Sequence, residues 1–196
     1  MEQGNGERNA PPSALVIFGA SGDLTRRKLV PALESLARDA RLPAQFAVVG
    51  VGRTPMSDGE FRTKVLDGGA SVRPELTGGY RYLPGAYDDQ DTYRQLSELL
   101  DRLDADRGTA GNRVFYLSTP PEAFEPIVTG LGAGGLSYGP CRVVIEKPYG
   151  TDERTAEQLD ATVHAHFDEP KVFRIDHYLG KDTVQNVLAL RFANAV

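Results

Sequence analysis

The sequence has little cysteine, no long apolar run and no excess of basic residues. Its single cysteine, Cys141, rules out a disulfide framework within the chain, and the apolar run CRVVIEK around it favours a buried, unreactive thiol. No apolar run approaches the roughly 20 residues that cross a bilayer, and residues 1–13 lack the apolar centre of a signal peptide. The formal net charge of −5 argues against a general nucleic-acid surface. We therefore expect a cytoplasmic protein with neither a membrane nor a nucleic acid as partner.

Apolar patterning alternates along the chain between the spacing of strands and the spacing of helices. Short apolar runs predict strands at residues 14–18, 46–52, 80–85, 113–119, 141–147 and 171–176. Helical spacing predicts helices at residues 24–40, 60–68, 88–106, 122–133 and 151–167. We expect Pro31 to kink or separate the first helical turn, Pro126 to break the fourth helix and Thr151 to cap the fifth. The alternation predicts an α/β fold with a doubly wound, Rossmann-like and mostly parallel sheet.

A glycine-containing turn, GASGDLTRRKL, follows the first predicted strand. Gly19 and Gly22 allow a tight turn close to a ligand, and the N-terminus of the next helix attracts phosphate. The candidate cofactor-binding residues of this turn are Gly19, Ala20, Ser21, Gly22, Asp23 and Leu24. The spacing is G-x-x-G rather than the fingerprint G-x-G-x-x-G, so a strand–helix turn without a ligand is the alternative.

The residue after the second predicted strand bears on the choice of cofactor. An acidic residue at this point would bind the adenosine ribose of NAD, but the chain has Arg53. A guanidinium pairs well with a phosphate, so Arg53 favours NADP. Ser21, together with Arg26 or Arg27, could donate to the same phosphate. The alternative for Arg53 is a solvated loop arginine.

The fourth and fifth predicted strands end in two further candidate segments, YLSTPPEAF and IEKPYG. In the first, Ser118 and Pro120 are expected to contact a cofactor through the backbone, because ligands of open α/β sheets bind at the carboxyl ends of strands. In the second, Lys147 precedes a proline that holds it extended, and its ammonium group could donate to a substrate hydroxyl or phosphate. Glu146 could serve as its structural partner. The alternatives are a rigid turn and an ordinary surface lysine.

Three segments together resemble the glucose-6-phosphate dehydrogenase family: GASGDLTRRKLVPAL, EKPYG and RIDHYLGK. YLPGAYDDQDTYRQL and FYLSTPPEAFEPI are similar to intervening family segments, so the resemblance extends from about residue 13 onward. It implies NADP as the cofactor and glucose 6-phosphate as the substrate, whose oxidation to 6-phosphogluconolactone opens the oxidative pentose phosphate pathway. It also implies a homo-oligomer for full-length members.

The resemblance assigns roles within RIDHYLGK. By it, His177, Tyr178 and Lys181 hold the sugar phosphate, and Lys147 reaches both the substrate and the nicotinamide, as a substrate-binding and cofactor-binding residue. Asp176, by the same resemblance, orients the histidine that acts as the catalytic base.

The base itself has no counterpart in this sequence. In the family it is a histidine further downstream, whereas the other histidines here, His164 and His166, match no family motif and are expected to be structural. We therefore expect the chain to be an N-terminal portion with negligible turnover on its own.

The expected organisation has three parts. Residues 1–12 form a flexible tail, residues 13–176 a dinucleotide-binding domain, and residues 177–196 the start of an incomplete α+β domain. Two alternatives stay open. One is another Rossmann sugar oxidoreductase with a Glu-Lys-Pro motif, which would carry a fuller glycine fingerprint. The other is a non-catalytic NADP-binding module, which the missing base favours and the intact motifs disfavour.

Overall fold

The computed structural model describes residues 10–66 and 78–175. In these residues the strands are β1 (Ser13–Phe18), β2 (Phe46–Gly52), β3 (Tyr80–Pro84), β4 (Arg113–Leu117), β5 (Cys141–Glu146) and β6 (Val172–Ile175). The α-helices are α1 (Val30–Arg38), α2 (Asp58–Leu66), α3 (Gln90–Arg107), α4 (Phe124–Ala133) and α5 (Glu153–His166). All strand pairs are parallel and the sheet order is β3-β2-β1-β4-β5-β6. The predicted doubly wound α/β fold is confirmed.

The sheet is covered by helices on both faces. Every residue of β1 and β2 is buried, as expected for parallel strands that read as continuous apolar runs. Alternate residues of β1 enter two cores: Val16 and Phe18 pack with apolar residues of α3, α4 and α5. Leu15 and Ile17 pack on the opposite face with apolar residues of α1 and α2. The candidate site therefore lies at the ends of strands that are packed against helices on both faces of the sheet.

The strand order reverses between β1 and β4, which places a crevice at their carboxyl ends. Phe18 at the end of β1 is paired with Val51 on one side and with Leu117 on the other. The loops after β1, β2 and β4 consequently leave the sheet side by side. A ligand at this edge can contact all three.

Two details of the predicted helices are wrong. Pro126 does not break a helix, because it is the third residue of α4, where a backbone N–H has no intrahelical acceptor. Thr151 is not the cap of α5; the Asp152 carboxylate accepts from the Thr155 N–H at 2.8 Å, and the Thr155 hydroxyl reciprocates in a capping box. The first turn is a π-helical turn, Thr25–Leu29, that continues directly into α1 at Val30, so it differs from the α-helix but is not separate from it.

The expectations for the ends of the chain fall mostly on residues outside those described. Residues 1–9 and 176–196 belong to this group. Ala10, from the expected tail, is buried and donates its N–H to the Arg41 carbonyl at 3.1 Å. Within residues 10–66 and 78–175, no helix is both long and apolar enough to span a membrane.

Cys141 is a buried free thiol, as predicted. It donates to the Ser137 carbonyl at 2.9 Å. Burial raises the pKa of the thiol, so the unreactive neutral form is favoured.

Candidate functional site

The turn after β1 packs closely against the end of β4. Gly19 has φ +80°, and a Cβ built on it would lie 2.1 Å from the Ser118 carbonyl oxygen. Its N–H donates to Val51 on β2 at 2.9 Å, and its carbonyl accepts from Gly22 at 2.8 Å. Only glycine combines this dihedral angle with this close approach. The turn thus contacts both strands that flank β1.

The other predicted residues of this turn differ in their surroundings. Ala20 is buried, Leu24 is half-buried and Ser21 is exposed. Asp23 is exposed and pairs with Arg27 at 2.9 Å and with Arg26 at 3.3 Å. These arginines, which the sequence offered as phosphate donors, thus contact a carboxylate of the same turn.

Arg53 lies at the same edge, directly after β2, and is exposed. It lines a cleft of about 320 Å³ together with Pro120, Tyr87 and Asp88. Ser21 is close to the end of β2 as well, since a Cβ on Gly52 would lie 3.5 Å from its Oγ. The structure therefore brings Ser21, Arg53 and Pro120 to one region, as expected for parts of one binding site.

Tyr87 belongs to this region and was missed by sequence reasoning. Its ring packs edge-on against Phe18 at 6.0 Å between centroids. Burial raises the pKa of its hydroxyl, while the Gly19 backbone and the charge of Arg53 oppose that rise. The hydroxyl is therefore near both the glycine turn and Arg53. The available signal was its position in the segment GAYDD, just after β3.

The loop after β4 contacts both β1 and the helical turn that follows it. The Ser118 N–H donates to Phe18 on β1 at 3.0 Å, and the Thr25 hydroxyl lies 3.4 Å from Ser118 Oγ. The Thr119 hydroxyl, which sequence reasoning did not single out, is buried, and it has no hydrogen-bond partner in the described part of the chain. Such an orphaned donor beside a ligand crevice fits a bound polar group.

Lys147 is exposed at the carboxyl end of β5 and is joined to Pro148 by a cis peptide bond. Glu146 accepts a hydrogen bond from the Tyr116 hydroxyl on β4, so this carboxylate helps to join β4 and β5. A cleft of about 180 Å³ lies between the loop after β4 and the start of α5, and Glu122 and Gly150 are among its lining residues. Glu122 also lines the Arg53 cleft. The two clefts therefore adjoin along the carboxyl edge of the sheet.

The remaining predicted site residues, Asp176, His177, Tyr178 and Lys181, lie outside the described residues. The last residue of β6, Ile175, is paired with Glu146 of β5. Residue 176 thus follows a strand that ends beside the strand carrying Lys147. The roles assigned to these four side chains stay predictions.

The two described histidines lie in the last turn of α5, which follows β5 and returns to the amino edge of the sheet. His164 Nε2 is 2.6 Å from the Glu169 carboxylate, and its Nδ1 is 2.9 Å from the Asp160 carbonyl. The hydrogen bond with Glu169, followed by the contact with Asp160, raises the pKa of His164. His166 is half-buried beside Gly132 of α4. These surroundings fit the structural roles expected for both residues.

No group of three or more metal-binding side chains occurs within residues 10–66 and 78–175. The described part of the site is made of glycine backbone, hydroxyls and separate cationic side chains. This donor set fits phosphates rather than a cation.

The chain is similar to known proteins over nearly its whole length. The family model "Glucose-6-phosphate dehydrogenase, NAD binding domain" matches residues 16–186. The chain is 46% identical over 200 residues to glucose-6-phosphate 1-dehydrogenase 2 of Mycobacterium tuberculosis, covering 95% of this chain and 39% of that one. It is 38% identical over 192 residues to glucose-6-phosphate 1-dehydrogenase of Bacillus subtilis, covering 95% and 39%.

The solved structures that this chain resembles carry the same enzyme name as these relatives. A glucose-6-phosphate dehydrogenase in complex with its substrate glucose-6-phosphate matches with a TM-score of 0.77 at 33% identity, covering 95% of this chain and 41% of that one. The glucose-6-phosphate 1-dehydrogenase from Mycobacterium avium matches with a TM-score of 0.72 at 33% identity, covering 94% and 41%. The chain thus spans about two fifths of the length of these relatives.

Proposed function

The chain belongs to the glucose-6-phosphate dehydrogenase family, and on that premise we propose that it binds NADP and glucose 6-phosphate for oxidation of the sugar to 6-phosphogluconolactone. Membership confirms the resemblance stated from the motifs, and it supports the predicted class of oxidoreductase acting on a CH–OH group and the dinucleotide cofactor. It also disfavours a different Rossmann sugar oxidoreductase. Because the chain spans about two fifths of its relatives, the complete activity is a proposal.

One observation supports the cofactor site above all others. The Gly19 turn closes onto Ser118 at the reversal of strand order, and the cleft with Arg53 lies beside it. The backbone of the turn can approach the pyrophosphate, and the Arg53 guanidinium can form a charge-assisted hydrogen bond with the phosphate that distinguishes NADP from NAD. The orphaned Thr119 hydroxyl gives a further donor at the same edge.

The substrate half of the proposal depends on Lys147 and the motif after β6. Oxidation requires a hydride to leave C1 of the sugar and a proton to leave the C1 hydroxyl. The bound nicotinamide supplies the hydride acceptor. Lys147 would donate a hydrogen bond to the sugar, and His177, Tyr178 and Lys181 would hold its phosphate, while Asp176 orients the base.

Binding rather than turnover is the expected activity of the 196 residues. His164 and His166 lie in the turn of α5 at the amino edge of the sheet, and His164 is paired with Glu169. Neither is placed at the edge that carries Lys147 to accept the sugar proton. The non-catalytic NADP-binding module is distinguished from this proposal by specific binding of glucose 6-phosphate. The cytoplasmic location and the homo-oligomeric state stay predictions.

Titration calorimetry with NADP and with NAD tests the cofactor assignment. Arg53→Ala should weaken binding of NADP by roughly 10- to 100-fold, because a hydrogen bond to a charged group contributes about 1.5–3 kcal/mol. Its effect on NAD should stay within about threefold. Arg38→Ala is the matched control, since Arg38 is another exposed arginine at the far end of α1. Equal losses for NADP and NAD in Arg53→Ala would contradict the assignment.

A further inference from the structure

The segment that carries Lys147 is attached to two other elements through Tyr149. The Tyr149 hydroxyl donates to Asp160 Oδ1 on α5 at 3.2 Å. The guanidinium carbon of Arg174, on β6, lies 5.0 Å from the centre of the Tyr149 ring. A single proline separates Tyr149 from Lys147 in the sequence, and proline restricts the backbone between them.

Arg174 also bonds Asp160 directly, so the two partners of Tyr149 contact each other. Its Nη2 donates to Asp160 Oδ1 at 2.7 Å, the same oxygen that accepts from Tyr149. Its Nη1 donates to Glu169 Oε1 at 2.9 Å. Partial burial lowers the pKa of the Arg174 guanidinium. The hydrogen bonds with Glu169, Tyr149 and Asp160 have the larger effect, so the pKa is raised above its ordinary value. Arg174 therefore stays charged and contacts three elements at once.

The group extends from Glu169, before β6, to Tyr149 in the loop after β5, so it reaches the carboxyl edge of the sheet at which Lys147 lies. Arg174 is paired with Ile145 of β5, two residues before Lys147. β6 is the edge strand of the described sheet, but its Val172 and Phe173 are buried, which anchors the backbone at Arg174. Arg174, Asp160 and Tyr149 thus connect the loop after β5 to elements that are themselves held in the fold.

We propose that Tyr149, Asp160 and Arg174 are positioning residues for Lys147. Together they hold residues 147–150 against α5 and β6, and so set the place at which the Lys147 ammonium group meets the substrate. What Lys147 binds rests on the proposed function, whereas the ordering of the loop does not. Exposed ion pairs contribute little individually, but a planar guanidinium that shares one carboxylate oxygen with a phenol restricts several side chains together.

Three variants test the proposal without large changes of shape. Tyr149→Phe removes only the hydroxyl, Asp160→Asn removes the charge of the shared carboxylate, and Arg174→Lys keeps the charge but loses the planar fork. Glu157→Gln is the matched control, because Glu157 is an exposed carboxylate one turn before Asp160 on the same helix.

Hydrogen exchange of the Thr151 amide is the first measurement, because this N–H directly follows residues 147–150 and donates to Thr155 Oγ1 on α5 at 2.9 Å. Asp160→Asn and Arg174→Lys should speed this exchange by about tenfold, and Tyr149→Phe by about threefold, as expected for the loss of one charged or one neutral hydrogen bond. Exchange in α3 and exchange in Glu157→Gln should not change. Unchanged exchange at Thr151 in all three variants would overturn the proposal.

The second measurement is the affinity for glucose 6-phosphate in the presence of saturating NADP. The same variants should weaken it about three- to tenfold while the affinity for NADP stays within about twofold, a split that general destabilisation would not produce. Faster exchange with unchanged glucose 6-phosphate affinity would refute the positioning role. Faster exchange in a chain whose unsubstituted form binds NADP but no glucose 6-phosphate would support the attachment of the loop and refute the proposed substrate.

Discussion

Replacing Gly19 by alanine probes the contact on which the cofactor site depends. The φ of +80° would cost an alanine about 1–2 kcal/mol relative to glycine. The new Cβ would also lie 2.1 Å from the Ser118 carbonyl oxygen, so the backbone of one loop must move, at about 1–3 kcal/mol. That movement strains the Ser118–Phe18 hydrogen bond between β4 and β1. We expect Gly19→Ala to destabilise the chain by about 2–5 kcal/mol in all.

Gly135→Ala separates the two contributions. Gly135 has a similar φ of +70°, but a Cβ at that position meets nothing within 4 Å. The control should therefore lose only the dihedral cost of about 1–2 kcal/mol. In thermal unfolding, Gly19→Ala should lower Tm by about 4–20 °C, since each kcal/mol shifts a domain of this size by about 2–4 °C. Gly135→Ala should lower Tm by about 2–8 °C.

The functional measurement is the affinity for NADP at a temperature where both variants are folded. Gly19→Ala should weaken NADP binding by at least tenfold, because the turn can no longer approach both Ser118 and the pyrophosphate. Gly135→Ala should bind NADP like the unsubstituted chain. If the two variants lose equal stability, the close approach of Gly19 to Ser118 is not a constraint, and the reasoning about this turn is wrong.

Two further substitutions test other parts of the structure. Thr119→Val should raise Tm in the absence of ligand by the equivalent of about 1 kcal/mol, because it removes a buried hydroxyl without a partner; an unchanged or lower Tm would show that the hydroxyl is satisfied. His164→Gln tests a pH dependence whose sign follows from the raised pKa of His164. The stabilisation by the His164–Glu169 pair is full below the pKa of an unfolded histidine, about 6.5, and is lost as the pH rises through the higher folded value. The difference in urea midpoint between His164→Gln and the unsubstituted chain should therefore shrink from about pH 6 to pH 9; a difference that stays constant or grows would contradict this sign.

The fold was predictable because its signals are local. The continuous apolar runs of β1 and β2 indicate strands that are buried on both faces, and these strands occupy the centre of the sheet. Helix ends were less predictable. Thr151 and Asp152 both suit a capping position, and only the backbone path decides which side chain reaches the Thr155 N–H. Pro126 illustrates the same limit, because its effect depends on whether it falls in the first turn.

The location of the candidate site residues was predictable where a single strand end determines it, and not where several elements must meet. The positions of Gly19 and Arg53 follow directly from strand ends, but glycine is required at residue 19 because of the carbonyl oxygen of Ser118, in the loop after β4. Tyr87 is brought to the candidate site by the packing of its ring on Phe18. Thr119 is distinguished only because its hydroxyl has no hydrogen-bond partner in the described residues. None of these relations is visible in a single stretch of sequence.

The loop with Gly19 and the loop with Lys147 are held in place by different kinds of contact. Around Gly19 the geometry is set by backbone atoms of β1, β2 and β4, so few side-chain changes can alter it. Around Lys147 it is set by side chains, since Tyr149 and Arg174 meet at Asp160. A substitution in the side-chain network should therefore loosen the substrate end and leave the cofactor end unchanged, because the buried sheet between them does not depend on the network. We therefore expect substitutions of Tyr149 or Asp160 to change the affinity for a ligand at Lys147, while the backbone contacts of the Gly19 turn stay the same.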